Sequence, residues 1–433
     1  MSEYIEVGLR REGLEAERAV IVGTVRQRED GRHSLREMAD LARAAGVIPV
    51  GIVVQRREAP HQNTFLGKGK LEELKIALAE LDASVALFDG DLSPRQVRTL
   101  VDILEGKKIV DRTELILDIF AQHARTSEGK LQVELAQLSY LLPRLTGRGK
   151  MMDRIGGGGA AAGGVGVRGP GETKLETDRR RLRARIARLR EELKEVRQRR
   201  DLERHSRRKG GLQTVALVGY TNAGKSTLLN ALAGSQEVSA HDRLFETLDP
   251  TVRKVRIGDG EVLVSDTVGF IKDLPQALVE AFRATLEEVV EADLLVHVVE
   301  ASSDFPLTER QSTEATLEEL GVETKPTIVV LNKWDIATPA QRADALEKMP
   351  DGLPLSALTG EGLDQLREMI ADRIFRRHIP LTLLLPYSRL DLLNVAREHG
   401  RVLDEDYRED GLHAEVEVEE AVVPNLRQFV ATE

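Results

Sequence analysis

Gly219-Tyr220-Thr221-Asn222-Ala223-Gly224-Lys225-Ser226 is the stretch on which the fold turns. Two glycines five positions apart, followed by Lys and Ser, form the pattern of a phosphate-cradling loop. The glycines permit tight backbone curvature, so that successive N–H groups of Gly219, Asn222, Ala223 and Gly224 point at phosphate. Lys225 would neutralise β- and γ-phosphates, Ser226 would bind Mg²⁺, and Thr227 completes the segment. The context fits: Gln213–Gly219 reads as a strand and Lys225–Ala233 as a helix, the strand–loop–helix setting that the pattern requires.

Three motifs follow in order. Asp266-Thr267-Val268-Gly269 ends an expected strand, Glu261–Asp266, paired with Val252–Ile257 through a turn at Gly258–Gly260. Asp266 would sit behind the Mg²⁺ ion and the Gly269 N–H would meet the γ-phosphate. Asn332-Lys333-Trp334-Asp335 follows the strand Thr327–Leu331. A carboxylate there accepts hydrogen bonds from N1–H and N2–H₂ of guanine. Adenine lacks that donor pair and would leave the carboxylate unpaired, at a cost of roughly 1–3 kcal/mol or more. Ser356-Ala357, at the end of the strand expected over Leu353–Ala357, supports the base through backbone N–H. Such a site binds GTP.

Two features bear on rate. Phe245–Thr251 lies where the first nucleotide-sensing switch belongs, with Thr247 chosen, and Thr251 in reserve, to complete Mg²⁺ coordination. Lys225, Thr247 and Gly269 are the catalytic candidates, and Ser226, Thr247 and Asp266 the metal candidates. After Gly269 comes Phe270, where many GTPases carry the glutamine that orients the attacking water. A phenyl ring cannot do that, so either the isolated protein hydrolyses GTP slowly or another group supplies the function. Asn222 matches GTPases that bind K⁺ at the loop; a plain loop hydrogen bond is the other reading, and both stay open.

Outward from this core, helix and strand patterns alternate at Leu274–Val290, Leu294–Val299, Thr308–Leu320, Ala340–Lys348 and Gly362–Ile374, placing the phosphate-loop domain at 211–377. Upstream, apolar runs at Ala19–Val25, Val47–Val54 and Val85–Phe88 read as buried parallel strands, with helices at Ser34–Ala45, Lys70–Leu81 and from the capping Ser93-Pro94. This is a small α/β domain, 1–112. Gly67-Lys68-Gly69-Lys70 within it is either a phosphate contact or a surface turn. Residues 113–210 read as a helical hairpin: a helix over Thr113–Leu142, a glycine-rich loop at 147–171, and a helix from Lys174. In that second helix Leu175, Leu182, Ile186, Leu189, Leu193 and Val196 follow heptad spacing, so it needs a partner helix. The tail, 378–433, reads as a small α+β domain with an alternating strand at His413–Val418. The fold class is therefore multidomain α/β.

The chain has 433 residues, no cysteine and a formal net charge of −10. That excludes disulfides and cysteine metal sites. The first ten residues lack the apolar core of a secretory signal, and no apolar run is long enough to span a bilayer, so the expected home is the cytoplasm. Charge is uneven: residues 179–209 hold 15 Lys/Arg against 5 Asp/Glu. Either this is a solvated helix face or an element built to meet a polyanion.

One further run is specific. Gly166-Val167-Arg168-Gly169-Pro170-Gly171-Glu172-Thr173-Lys174-Leu175-Glu176-Thr177-Asp178-Arg179-Arg180 resembles the signature that HflX proteins carry before their GTPase domain. Phe65–Lys70, Asp111–Phe120, Gln132–Leu135, the loop Gly219–Thr227 and the Asp266–Phe270 variant resemble the family too. The likeness spans roughly residues 15 to 375. It implies a GTPase that binds the 50S large ribosomal subunit and its rRNA, encounters the 70S ribosome and splits stalled or idle ribosomes under stress, with no role for DNA. Arg168, Lys174, Arg179 and Arg180 are then candidate rRNA contacts. A signalling switch with a protein effector, and a GTPase of subunit assembly or RNA metabolism, are the alternatives. No second catalytic constellation favours a modifying enzyme.

Overall fold

The computed structural model describes residues 16–26, 31–145, 174–209, 212–234, 251–258, 260–272, 286–375, 378–408, 410–419 and 422–431. They fall into two compact units, the first of the described residues up to 197 together with Lys272, the second of the other described residues from 198 on.

In the first unit, β1 (Arg18–Val25), β2 (Ile48–Arg56), β3 (Val85–Phe88) and β4 (Lys108–Asp111) form a parallel sheet in the order β2-β1-β3-β4. Helices α1 (Arg32–Ala44), α2 (Lys68–Glu80) and α3 (Pro94–Ile103) make the crossovers. Val20, Val22, Ala86 and Phe88 pack with Leu71, Leu74, Leu78 and Leu100 in one buried cluster. Ser93 and Gln96 cap α3 reciprocally, which satisfies two otherwise orphaned N–H groups.

The single helix expected over Thr113–Leu142 is two: α4 (Arg112–His123) and α5 (Ser127–Leu141). Ala124 is extended at ψ 107°, and the Thr126 hydroxyl accepts from the Gly129 N–H, so a fresh N-cap restarts the helix. The basic helix α6 (Lys174–Lys209) packs as its heptad requires. Ile186, Leu189 and Leu193 are buried against Leu135, with Leu131, Leu138 and Leu142 of the preceding segment alongside. Arg185 donates twice to the Glu134 carboxylate, at 2.7 Å each. The glycine-rich loop expected at 147–171 lies outside the described residues.

The second unit holds a six-stranded sheet ordered β10-β9-β8-β5-β7-β6. Its strands are β5 (Gln213–Gly219), β6 (Thr251–Ile257), β7 (Gly260–Asp266), β8 (Leu294–Glu300), β9 (Thr327–Asn332) and the two-residue β10 (Leu353–Pro354). Only the β6–β7 pair is antiparallel. The helices are α7 (Lys225–Ala233), the helical stretch 286–291, α8 (Pro306–Glu319), α9 (Pro339–Lys348) and α10 (Leu363–Ile374). The strand expected over Leu353–Ala357 stops at Pro354, because beyond it the chain turns toward Asn332. The start of the helix expected over Leu274–Val290 lies outside the described residues. The tail is an antiparallel sheet, β11 (His378–Leu385), β13 (Gly411–Glu419) and β12 (Gly400–Arg408) in the order β11-β13-β12, covered by α11 (Asp391–Glu398) and α12 (Val423–Leu426). Leu412, Ala414, Val416 and Val418 face inward, as alternation predicts. No described helix is long and apolar enough to cross a membrane.

Candidate active site

β5 has β7 on one side and β8 on the other, while the chain visits β6 and β7 before β8. The loop that leaves β5 therefore opens at the point where strand order reverses, the usual ligand crevice of such sheets. Its backbone takes conformations that the sequence permits. Gly219 has φ +151°, Asn222 +61° and Gly224 +91°. At Gly219 a Cβ would lie 2.2 Å from the Val298 carbonyl oxygen, and at Gly224 one would lie 2.3 Å from Asn332 Nδ2. Neither position tolerates a side chain.

Lys225 is buried, and its Nζ donates to the carbonyls of Gly219 (3.1 Å) and Tyr220 (2.8 Å). Burial pulls its ammonium down to about 8, opposed by the Asp266 charge. The Ser226 hydroxyl donates to Asp266 Oδ2 at 2.6 Å. Gly269 lies against these groups: a Cβ there would come within 2.8 Å of Thr221 Cα and 3.1 Å of Lys225 Nζ. The structure thus brings Lys225, Ser226, Asp266 and Gly269 together at the N-terminus of α7. Thr227 lies in the first turn of the same helix.

Phe270 is 1% exposed, and its backbone is stitched to the loop. Its N–H donates to the Gly219 carbonyl (3.0 Å), and its carbonyl accepts from the Thr221 N–H (2.8 Å). A ring buried this way has no means of orienting water.

The Asn332–Asp335 segment is braced from three sides. Asn332 is 1% exposed; its Nδ2 donates to the Ala223 carbonyl (2.8 Å) and its Oδ1 accepts from the Ala357 N–H (2.9 Å). One side chain thereby ties the phosphate loop to the Ser356-Ala357 turn. The Ser356 hydroxyl donates to Asp335 Oδ1 at 2.7 Å. Lys333, at φ +60°, pairs with Glu300 at 2.8 Å. Sequence reading missed Glu300 and Arg342. Glu300 ends β8 opposite Asn332 in the ladder, and a carboxylate at a strand end beside an Asn-Lys motif was the available signal. Arg342 donates to the Trp334 carbonyl (2.7 Å) with its guanidinium 5.3 Å above the indole. Nothing in the local sequence marked it.

Other candidates are placed unevenly. Thr247 lies outside the described residues, while Thr251 starts β6 and is exposed. Arg168 also lies outside them, and for Lys174 only the helical backbone is described. Arg179 is half-buried and Arg180 exposed on α6. No group of three or more His, Cys, Asp or Glu among the described residues could hold a metal ion by itself.

A mixed sheet in this order, with a glycine loop at its switch point and the Asn332 segment at a neighbouring strand end, is a P-loop GTPase domain. Family models extend this along the chain. "GTP-binding GTPase N-terminal" matches residues 32–121 and "GTP-binding GTPase Middle Region" residues 123–207. "50S ribosome-binding GTPase" matches 214–333, and "HflX C-terminal domain" matches 340–426. The chain is 44% identical to GTPase HflX of Caldanaerobacter subterraneus subsp. tengcongensis, over 96% of its own length and 94% of that relative. It is also 44% identical to GTPase HflX of Escherichia coli K12, over 86% of each. Among solved structures, a GTP-binding protein from Sulfolobus solfataricus in complex with GDP matches with 25% identity and a TM-score of 0.42, over 82% of this chain and 98% of that one. The chain belongs to the HflX family of GTPases.

Proposed function

We propose that this GTPase hydrolyses GTP at the Gly219–Ser226 loop and couples that reaction to the 50S subunit, splitting 70S ribosomes in the cytoplasm under stress. In this reading the backbone of Gly219, Asn222, Ala223 and Gly224 cradles the phosphates. Lys225 leaves the two carbonyls it now contacts and meets the β- and γ-phosphates. Asp335 accepts from guanine, held in position by Ser356, and Ala357 supports the base. Asn332 and Lys333 keep that segment in place.

The hard oxygens of Ser226 and Asp266, 2.6 Å apart at a helix N-terminus, fit Mg²⁺. That ion supplies charge neutralisation to the phosphates. Gly269, adjacent to Lys225 Nζ, presents its N–H to the γ-phosphate, and Thr247 is the assigned switch ligand. Asn222 is exposed and makes no hydrogen bond among the described residues, which favours a K⁺ ligand over a loop brace.

The observation that carries the coupling is Phe270. Water must be aligned for attack on the γ-phosphorus, with GDP leaving, and a buried ring whose backbone is engaged cannot align it. The missing orientation then comes from the particle on which the enzyme works. The outward face of α6 supports an RNA partner: Arg180, Arg181, Arg183, Arg188 and Arg190 are exposed while the leucine seam is covered. Arg168, Lys174, Arg179 and Arg180 are the proposed rRNA contacts. GTP would set affinity by favouring the bound conformation of the switches.

Sedimentation of 70S particles with the protein and a non-hydrolysable GTP analogue tests the splitting step. Conversion to subunits, with the protein on the large one, is expected. Intact 70S particles with the protein at the top of the gradient would overturn it, and binding confined to precursor particles would favour the assembly reading.

A further inference from the structure

The segment before Asp335 is held in a shape that its own sequence does not favour. Lys333 has φ +60°, a left-handed conformation that a residue with a Cβ keeps only where its surroundings impose it. Three contacts hold it there. The Lys333 ammonium pairs with Glu300 at 2.8 Å, and the Trp334 N–H donates to the Leu355 carbonyl at 3.1 Å. Arg342, on α9, grips the Trp334 carbonyl through Nε (3.1 Å) and Nη2 (2.7 Å). Trp334 is thus fixed at both its N–H and its carbonyl, one peptide before Asp335.

Arg342 is half-buried and has no carboxylate partner among the described residues. It turns two donors to one carbonyl oxygen instead, with its guanidinium 5.3 Å from the centre of the Trp334 ring. A charged donor makes the stronger kind of hydrogen bond, and the rigid guanidinium fork loses little freedom in making it. The neighbouring residue braces the same segment. Gln341 Nε2 donates to the Ser302 carbonyl (2.7 Å), and the Ser302 hydroxyl donates to Glu300 Oε1 (2.7 Å), whose carboxylate holds Lys333. The Thr338–Gln341 capping box fixes the start of α9 itself. Helix α9 therefore holds Lys333 and Trp334, while Ser356 holds Asp335. The peptide between Trp334 and Asp335 is planar, so a fixed Trp334 carbonyl fixes the bond from which the Asp335 side chain departs. Two hydrogen bonds to one base require that alignment, because each weakens steeply as its angle closes.

We propose that Arg342 is a positioning residue for guanine selection: by fixing the Trp334–Asp335 peptide it aligns the Asp335 carboxylate with both N1–H and N2–H₂ of the base, which rests on Asp335 being the guanine acceptor. The guanidinium stays on the Trp334 carbonyl and touches no atom of the nucleotide.

Calorimetric titration of the full chain with GDP and with inosine diphosphate, which lacks the exocyclic amino group, is the test. Arg342→Ala should lower the preference for GDP about fivefold, the worth of one hydrogen bond. Arg342→Lys, which keeps the charge and one donor, should fall between it and the wild type. Lys348→Ala removes only an exposed pair with Asp344 on the same helix and should leave the preference unchanged. Asp335→Ala should abolish the preference, and adding Arg342→Ala to it should change nothing further. Trp334 is the only tryptophan of the sequence, so its emission reads the segment directly. Acrylamide should quench it more readily in Arg342→Ala, where the guanidinium no longer covers the indole. If Asp335→Ala abolishes the preference while Arg342→Ala keeps it, or loses both nucleotides equally as a purely structural residue would, this proposal alone is overturned. A preference that survives Asp335→Ala overturns the guanine reading of that carboxylate and the proposal with it. If Arg342→Ala fails to fold, Arg342→Lys decides, and a wild-type preference there overturns the proposal.

Discussion

Two parallel sheets in this molecule end their strands in dense polar networks, and the networks differ in what they leave available. In the first unit, Asp111 at the end of β4 accepts from the N–H groups of Glu114 (2.9 Å) and Leu92 (3.1 Å) and from Arg144 (3.3 Å). Asp89, just past β3, accepts from the Ser34 hydroxyl (2.6 Å) and from Arg112 (2.9 Å), and Arg112 also bonds Glu37. Carboxylates there answer guanidinium groups and backbone N–H groups, and their oxygens are taken up. At the end of β5 the chain instead presents glycine backbone and one lysine whose partners are carbonyl oxygens. A carbonyl is a weaker partner for an ammonium than a phosphate. The same architecture thus yields a brace where carboxylates meet guanidinium, and a binding site where strong partners are withheld.

The comparison breaks first at Arg112. Its side chain is 5% exposed, with Glu37 at 6% and Asp89 at 10%. Removing one partner of a buried ionic cluster strands the others, so Arg112→Ala should destabilise the first unit by about 3–5 kcal/mol in urea unfolding. A loss below about 1 kcal/mol would mean the network is hydrated and not a closed brace.

Asp335 sharpens the other side. Asp335→Asn should weaken GDP by about 10–100-fold, the worth of hydrogen bonds to a charged group. Xanthine carries a carbonyl where guanine carries its amino group, so the same variant should gain affinity for xanthosine diphosphate. Competition binding with both nucleotides reads the exchange. Equal loss for both would place Asp335 in a purely structural role with Ser356.

The smallest effect lies on the arm. Arg185 and Glu134 form a bidentate pair, but each is 38% exposed. Arg185→Ala should therefore leave stability nearly unchanged, with the buried leucine seam holding α6 to α5. A larger loss in thermal unfolding would mean that the ion pair, and not Ile186, Leu189 and Leu193, fixes the hairpin.

Legibility in the sequence followed the same division. The phosphate loop, the Asp266–Gly269 segment and the Asn332–Asp335 segment were readable because each needs particular residues at fixed spacing on a strand end. The heptad in α6 was readable because one face is leucine and the rest charged. The short strand β4 escaped notice: it has only Ile109 and Val110 as apolar residues. β12, Gly-Arg-Val-Leu-Asp-Glu-Asp-Tyr-Arg, is a charged edge strand whose sequence resembles a loop. The break at Ala124 lies in the largely polar run Gln122–Lys130, where Thr126 supplies the new N-cap. The Asn332–Ala223 brace joins residues 109 positions apart, and local pattern carries no trace of it.

The most direct test of the coupled GTPase is the rate of GTP hydrolysis by the full chain, alone and with added 50S subunits, with Lys225→Ala as the inactive control. The buried, backbone-engaged Phe270 predicts slow turnover alone and stimulation by particles of about 10²-fold or more, the order of effect that a supplied catalytic group gives. Full activity without particles, unchanged on their addition, would contradict the account, because the water would then be oriented by the isolated protein itself.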